Sequence, residues 1–369
     1  MKTTPVKLPN SNSFRQASRL PPFPEIPNYC PNEFVGVNID RLINTDLSRC
    51  STTLQTHIET LPIPAAWQVN SRQRGGPTVV ITGGTHGNEP AGVAFLRKTL
   101  LRLKRGELTL LQGRVIFAVG NPDALATNSR DSNGFNLNRQ FRPQSTQPAN
   151  MRGLERVEQL RKFVLDGNDA VLDIHTTSQP TPPFVLFSLD NPGSLDFVSV
   201  PYALGLSLNN PAHVTGTLQA EAIRLGRTGE RPSNALTIEC GQHNDLQSFI
   251  NAETFGLEFL ARLGMIEAPV SANPTRPEVW LMRCKLPIGD QVFRFAERFA
   301  GFDVLSSGQL IGCDDSYSYH APTDCRIVMP YSLPQEESLL GKKDEDWFYI
   351  VTRQDDPHSK LHLGRAHLR

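Results

Sequence analysis

The stretch VVITGGTHGNEPAG, residues 79–92, decides the fold. It opens with an unbroken run of β-branched residues, which is typical of a strand covered on both faces of a sheet. Three glycines then let the backbone turn tightly, and His86 and Glu89 follow where the strand ends. These two polar side chains either cap the next helix or form the first half of a metal site.

Further apolar runs continue the pattern along the chain, at residues 114–120, 170–175, 184–188 and 235–240. Amphipathic stretches with apolar residues at helical spacing accompany them, at residues 93–103, 154–164 and 248–264. Gly106 is expected to end the first of these helices. Strands that alternate with helices predict an α/β fold with a mixed sheet flanked by helices.

Changes in local composition and pattern divide the chain into four predicted regions. Residues 1–44, which are rich in proline, serine and asparagine, are expected to form a partly irregular N-terminal leader. Residues 45–270 carry the α/β pattern. Short segments broken by glycine, proline and aspartate then predict a smaller β-rich C-terminal domain over residues 275–353. The histidine-rich residues 354–369 are expected to form a flexible tail.

The bulk composition argues against several classes of function. Lysine plus arginine equals aspartate plus glutamate at 37 each, so no global field attracts nucleic acid or an anionic membrane. No stretch approaches the ~20 apolar residues of a membrane span, and the first residues lack the apolar core of a secretory signal. The six cysteines form no CxxC pair and indicate free thiols. We therefore expect a cytoplasmic protein without nucleic-acid or membrane partners.

Four polar residues follow three of the predicted strands. His86 and Glu89 follow the first strand, and His175 and Glu239 lie at the ends of two others. In open α/β sheets, active sites form outside the carboxyl ends of the strands. Two histidines and one glutamate are a known zinc set for hydrolases with an open fourth position, and Glu239 would then act as general base.

A blander interpretation exists for each of these residues. A single HxxE motif is common, and a strand-end glutamate can serve only as the acceptor of a salt bridge. The coincidence of four suitable residues at three strand ends favours the metal site.

A second cluster of interest lies between the first two strands of the set, in NPDALATNSRDSNGFNLNRQF, residues 121–141. Arg130, Asn138 and Arg139 lie there in a loop rich in glycine, asparagine and serine. The forked donors of a guanidinium group suit bidentate capture of a carboxylate. The alternative is a solvated basic loop, and the neighbouring metal site favours carboxylate binding.

Taken together, these motifs resemble the aspartoacylase and succinylglutamate desuccinylase family, which is related to the zinc carboxypeptidases. The motifs are GGTHGNEPAG at 83–92, NP at 121–122, NLNRQF at 136–141, DIHTT at 173–177, TIECGQH at 237–243 and HAPTDCRIVMP at 320–330. The resemblance implies a zinc carboxypeptidase-like catalytic domain and a reaction that hydrolyses the amide bond of a small N-acyl amino acid. It also implies that the C-terminal domain covers the site entrance.

The family pattern carries roles over to individual positions. His86, Glu89 and His175 would bind one Zn²⁺ per chain, and Glu239 would be the general base and acid. At the substrate end, Asn138 and Arg139 would hold a carboxylate and Arg130 would polarise the scissile carbonyl.

The sequence departs from the family pattern at the substrate end. Asn136 stands where the family commonly has an aspartate. Position 229 is glycine where aspartoacylase has an arginine that holds the substrate side chain, so Arg231 becomes a candidate for substrate binding. Neither N-acetylaspartate nor succinylglutamate is therefore assigned as the substrate.

Two other functions remain open from the sequence. One is a zinc carboxypeptidase that acts on peptides, although a small β-rich domain over the entrance disfavours it. The other is a metal- or carboxylate-binding protein without turnover, although all four catalytic positions are chemically intact. The sequence also leaves the oligomeric state open, a homo-oligomer included.

Overall fold

A computed structural model of the protein describes residues 32–50, 57–73, 75–132, 134–141, 151–207, 216–226, 233–268, 270, 276–331, 345–355 and 363–367. The α-helices are α1 (Ile39–Arg49), α2 (Pro90–Arg105), α3 (Pro122–Ala126), α4 (Met151–Leu160), α5 (Leu218–Leu225) and α6 (Leu246–Arg262). A π-helical turn, Arg161–Leu165, continues α4, and short 3-10 turns cover Leu137–Arg139 and Pro192–Phe197. None of the helices in these ranges is long and apolar enough to cross a bilayer.

The first nine strands are interspersed with the helices. They are β1 (Ile58–Thr60), β2 (Ala66–Asn70), β3 (Thr78–Gly83), β4 (Arg114–Val119), β5 (Ala170–Thr177), β6 (Phe184–Ser188), β7 (Tyr202–Leu206), β8 (Asn234–Gln242) and β9 (Glu278–Pro287). The remaining strands follow in close succession: β10 (Arg294–Phe295), β11 (Asp303–Leu305), β12 (Leu310–Cys313), β13 (Tyr317–His320), β14 (Cys325–Val328), β15 (Asp346–Arg353) and β16 (Gly364–His367).

Twelve of these strands form one sheet in the order β1-β2-β4-β3-β5-β8-β6-β7-β9-β15-β14-β11. The central pairs β4/β3, β3/β5 and β5/β8 are parallel, whereas β2/β4, β6/β8 and the pairs beyond β9 are antiparallel. The predicted mixed α/β sheet with a β-rich C-terminal part is therefore confirmed.

Both faces of the central sheet are buried, which explains the continuous apolar runs in the sequence. On β3, Val79 and Ile81 pack against one apolar cluster and Val80 packs against another, because successive side chains point to opposite faces. Helices α1, α2 and α6 contribute to the first cluster, and α4 and α5 contribute to the second.

Helix α2 ends at Gly106, as the sequence predicts, and it begins at Pro90, before the predicted stretch 93–103. Pro90 occupies the first turn, where its missing N–H costs no hydrogen bond. Gly106 follows the last residue with φ of 73°, and its backbone N–H donates to the carbonyl groups of Arg102 and Leu103. The helix therefore starts directly after Glu89, at the carboxyl end of β3.

The C-terminal strands join the main sheet and also build a smaller one. Strand β9 pairs with β7, and β15, β14 and β11 extend the large sheet beyond it. Strands β10, β12, β13 and β16 form a second, four-stranded sheet. The predicted domain boundary between residues 270 and 275 stays a prediction. Strands from both sides of that boundary belong to the large sheet.

Both predicted terminal regions contain regular structure. Helix α1 begins at Ile39, inside the predicted leader, of which residues 1–31 lie outside the described residues. Residues 364–367, inside the predicted flexible tail, form β16 and pair with β13. Pairing with the edge of the small sheet, which the local sequence does not reveal, accounts for this second difference.

We expect Gly87→Ala to destabilise the protein by about 3 kcal/mol, because overpacking forces the backbone to shift. A Cβ at this position would overlap the backbone of Ala124 and Leu125. Gly289→Ala is the matched control, since a Cβ there has nothing within 4 Å. Chemical denaturation of both variants tests this, and equal midpoints would contradict the close approach at Gly87.

Candidate active site

Glu89 occupies the N-cap position of α2, but its side chain makes no capping hydrogen bond there. Its Oε1 lies 2.8 Å from Nδ1 of His86, and its Oε2 lies 2.8 Å from Nδ1 of His175. The backbone N–H of Thr176 also donates to Oε2, at 3.1 Å. The carboxylate therefore faces two imidazoles and not the helix backbone.

These three side chains present a compact set of metal-ligand atoms. The ligand atoms of His86, Glu89 and His175 all lie within 4.8 Å of one another, and all three residues are buried. Two imidazoles and one carboxylate at this spacing fit a zinc ion with an open fourth position.

A network behind His175 fixes the orientation of its ring. Nε2 of His175 lies 2.8 Å from Oδ2 of Asp173, and Oδ1 of Asp173 accepts hydrogen bonds from the hydroxyls of Thr82 at 2.7 Å and Thr85 at 3.0 Å. Although burial lowers the pKa of His175, the carboxylates of Asp173 and Glu89 raise it well above its ordinary value. Such carboxylate–histidine pairs hold a metal-binding imidazole in one tautomer and one direction.

His86 has a different partner behind its ring. Its Nε2 lies 3.3 Å from Oδ1 of Asn136, an amide and not a carboxylate. Burial lowers the pKa of His86 and the nearby Arg130 lowers it further, while Glu89 opposes both effects. The lowered pKa of His86 favours the neutral imidazole, which is the form that binds a metal ion.

Glu239 lies beside this cluster. Its backbone pairs with that of His175 across β5 and β8, and its side chain is buried. Oε2 of Glu239 has no hydrogen-bond partner among the residues that the structure describes. Burial raises the pKa of Glu239 to about 8; His175 opposes the rise and Glu89 adds to it. A carboxylate in these surroundings can exchange a proton near neutral pH.

Arg130 and Arg139 converge on one carboxylate, that of Glu345. Nε and Nη2 of Arg130 donate to the two oxygens of Glu345, at 2.9 and 3.1 Å, and Nη2 of Arg139 donates to Oε2 at 3.4 Å. The remaining Nη1 of Arg130 lies 3.3 Å from Nδ1 of His86 and 3.4 Å from Oε1 of Glu89. Arg130 therefore connects Glu345 to His86 and Glu89, two of the three candidate ligands.

Of the predicted substrate-binding residues, two line the cavity and one lies outside the described part of the chain. Asn138 and Arg139 are buried and line the cavity in front of the cluster. Oδ1 of Asn138 accepts from the backbone N–H of Leu218, the first residue of α5, at 2.8 Å, a contact that the sequence analysis did not predict. Arg231 lies outside the described residues.

The cavity itself measures about 640 Å³. The three candidate ligands and Glu239 lie in its wall together with His243, whose Nδ1 is 2.8 Å from the hydroxyl of Thr176. This volume suits a small molecule.

Sequence reasoning missed several residues of the site. Asp173 could have been found, because residues two apart on a strand share a face and DIH places a carboxylate next to the candidate ligand. His243 belongs to the quoted TIECGQH motif but had no assigned role. Glu345 gives no local signal, since only the folding of the chain brings it to Arg130.

Comparison with known proteins points to one family. Residues 75–256 match the family model described as Succinylglutamate desuccinylase/Aspartoacylase catalytic domain. This range contains every residue named above in the description of the candidate active site except Glu345.

Individual relatives are similar over shorter stretches. N-alpha-acetyl-L-2,4-diaminobutyric acid deacetylase of Halomonas elongata is 35% identical over 107 residues, which cover 27% of this chain and 29% of that protein. Succinylglutamate desuccinylase of Erwinia tasmaniensis is 43% identical over 63 residues, or 17% of this chain and 18% of that protein. The chain thus matches less than a third of the length of either curated relative.

Solved structures extend the likeness to most of the chain. The crystal structure of succinylglutamate desuccinylase from Vibrio cholerae superimposes with a TM-score of 0.62. The match covers 90% of this chain and 100% of that one at 16% sequence identity, so it shows a shared fold.

The buried imidazole of His243 generates a prediction about stability. Burial lowers its pKa to about 4, an effect that Glu89 opposes and Arg130 reinforces. Between the ordinary value of 6.5 and about 4 the unfolded chain binds the extra proton, so stability falls as the pH falls through this window. This dependence can reach about 1.4 kcal/mol of unfolding free energy per pH unit, and we expect His243→Gln to remove it.

Urea denaturation at about pH 7.5 and about pH 5 tests this dependence. The wild-type protein should lose more free energy of unfolding between the two conditions than the variant. Equal losses would contradict a depressed pKa at His243.

Proposed function

We propose that this chain, whose residues 75–256 belong to the succinylglutamate desuccinylase/aspartoacylase family, is a zinc-dependent amidohydrolase acting on a small N-acyl amino acid. The observation that carries the proposal is the buried cluster of two imidazoles and a carboxylate in the wall of a cavity, with Glu239 beside it. The products would be a carboxylate and a free amino acid.

His86, Glu89 and His175 would hold one zinc ion per chain. When bound, the ion would supply a Lewis acid that polarises the scissile carbonyl and makes water more acidic. Asp173 and Asn136 would keep the two imidazoles aimed at the ion, in the way that hydrogen-bond partners of metal ligands generally do.

Glu239 would move the protons. Its buried Oε2 can accept a proton from the attacking water and then return it to the leaving amine, so the amino acid departs as a neutral amine. The raised pKa supports this double role, because the protonated and ionised forms are then close in free energy.

The two arginines would divide the recognition of the substrate. Nη1 of Arg130 lies next to the candidate ligands, where it can donate to the scissile carbonyl oxygen. Arg139 lies in the cavity wall, further along the same loop, where its guanidinium can receive the substrate carboxylate. Arg231 stays a proposed contact to the substrate side chain.

The acyl group is the open part of this proposal. The relatives named above are a deacetylase of an N-acetyl diamino acid and a desuccinylase, which makes acetyl and succinyl groups the first to test. The free thiols of the five cysteines in the described ranges support our placement of the enzyme in the reducing cytoplasm.

His175→Ala should abolish zinc binding and hydrolysis of N-acetyl and N-succinyl amino acids, because the metal set loses one of three ligands. His57→Ala is the matched control, since His57 is exposed and precedes β1. Metal analysis and a substrate panel measure both effects. Unchanged turnover in His175→Ala would contradict a zinc-dependent mechanism.

Glu239→Gln should lower kcat by about 10²–10⁴-fold while zinc content stays near that of the wild type, because the amide cannot accept the proton. Glu107→Gln, at an exposed carboxylate, should leave both quantities unchanged. Loss of zinc in Glu239→Gln would instead make Glu239 a metal ligand.

A further inference from the structure

We infer that Glu345 is a positioning residue of this site, which aims Arg130 at the candidate metal ligands. The inference rests on the proposed function and adds to it a residue outside the catalytic region of the family match. Four contacts of one buried carboxylate carry it.

The contacts close a ring of hydrogen bonds around the candidate site. Oε1 of Glu345 accepts from Nδ2 of Asn136, and Oδ1 of Asn136 lies 3.3 Å from Nε2 of His86. On the other side, Glu345 holds the Nε and Nη2 edge of Arg130, whose Nη1 returns to Nδ1 of His86. Within this ring, Glu345 contacts both Asn136 and Arg130, the two residues whose side chains approach the ring nitrogens of His86.

Glu345 is itself held firmly by the C-terminal strands. Its backbone carbonyl accepts from the N–H of Ile288 at 2.9 Å, and the next residue, Asp346, begins β15 in the large sheet. The side chain of Glu345 is only 10% exposed. Because the backbone of Glu345 is held in place, its carboxylate can orient the longer and more flexible side chain of Arg130.

The charge of Glu345 is matched to its surroundings. Burial raises the pKa of this carboxyl, but Arg130 and Arg139 outweigh burial and hold the pKa well below its usual range. A bidentate pair fixes the plane of the guanidinium as well as its distance. Without the carboxylate, the Nε and Nη2 edge of Arg130 would lose both acceptors and the guanidinium would be free to turn.

The same contacts have a competing interpretation. A carboxylate held by Arg130 and Arg139 can instead occupy the place of the substrate carboxylate and compete with it. The geometry favours positioning, because the short bidentate pair is with Arg130, whereas the contact to Arg139 is longer, at 3.4 Å. The two interpretations predict different effects of removing the carboxylate: a lower kcat for positioning and a lower KM for competition.

The kinetic test uses Glu345→Gln and the metal-loaded enzyme. Positioning predicts that kcat falls by about 10–100-fold while KM changes little. Glu253→Gln is the matched control, because Glu253 is a buried carboxylate of α6 that pairs with Lys98 and Arg102 of α2 and does not line the cavity, so kcat should not change there. A lower KM for N-acetylglycine with no change for N-acetylglycinamide would overturn positioning in favour of competition.

A double-mutant cycle tests whether Glu345 acts through Arg130. In the Arg130→Gln background, Glu345→Gln should have little further effect on kcat, because the group that it orients is gone. Independent effects that multiply fully in the double variant would overturn the inference.

The affinity for zinc gives a readout that does not need turnover. Glu345→Gln should weaken zinc binding by about 10–100-fold, measured by competition with a chelator, because Asn136 and His86 lose their support. Equal zinc affinities of the wild type and Glu345→Gln would overturn the inference that Glu345 supports His86 through Asn136. A wild type that binds zinc but hydrolyses no N-acyl amino acid would refute the proposed function, and the affinity comparison would still test Glu345.

Discussion

The rest of the site depends on one buried carboxylate, that of Glu89, which faces two imidazoles from different strand ends. A carboxylate deprived of water is tolerated only where donors or cations surround it. His86, His175 and the backbone N–H of Thr176 supply them here. The parallel register of β3, β5 and β8 is what brings these groups to a single edge of the sheet.

Each imidazole is supported by a different part of the chain. Asp173, from the same strand as His175, supports that ring, so this half of the site is local to the central sheet. His86 instead depends on Asn136 and, through it, on Glu345 at the start of β15. The C-terminal strands were expected to cover the entrance, and their contact with the arginines makes them part of the site wall as well.

The sequence predicts the cluster of candidate metal ligands better than it predicts the surroundings of the two arginines, for a physical reason. Burial on both faces leaves a continuous apolar run, so β3, β5 and β8 and the polar residues at their ends can be found by pattern. Arg139 and Glu345 lie 206 positions apart, and no pattern in the sequence pairs the two residues. Asn138 also shows that a side chain suited to binding a ligand can instead accept a hydrogen bond from the first N–H of a helix, and the sequence does not distinguish the two roles.

The distance along the chain between Arg130 and Glu345 also has a consequence for the cost of assembling the site. The candidate ligands come from the ends of β3 and β5, which pair directly, whereas the ring around His86 includes Glu345, which precedes β15 at its pairing with β9. Closing a contact of long sequence separation costs more loop entropy than closing a shorter one. The alignment of Arg130 is therefore the entropically costlier part of the site, and it depends on the C-terminal strands as well as on the central sheet.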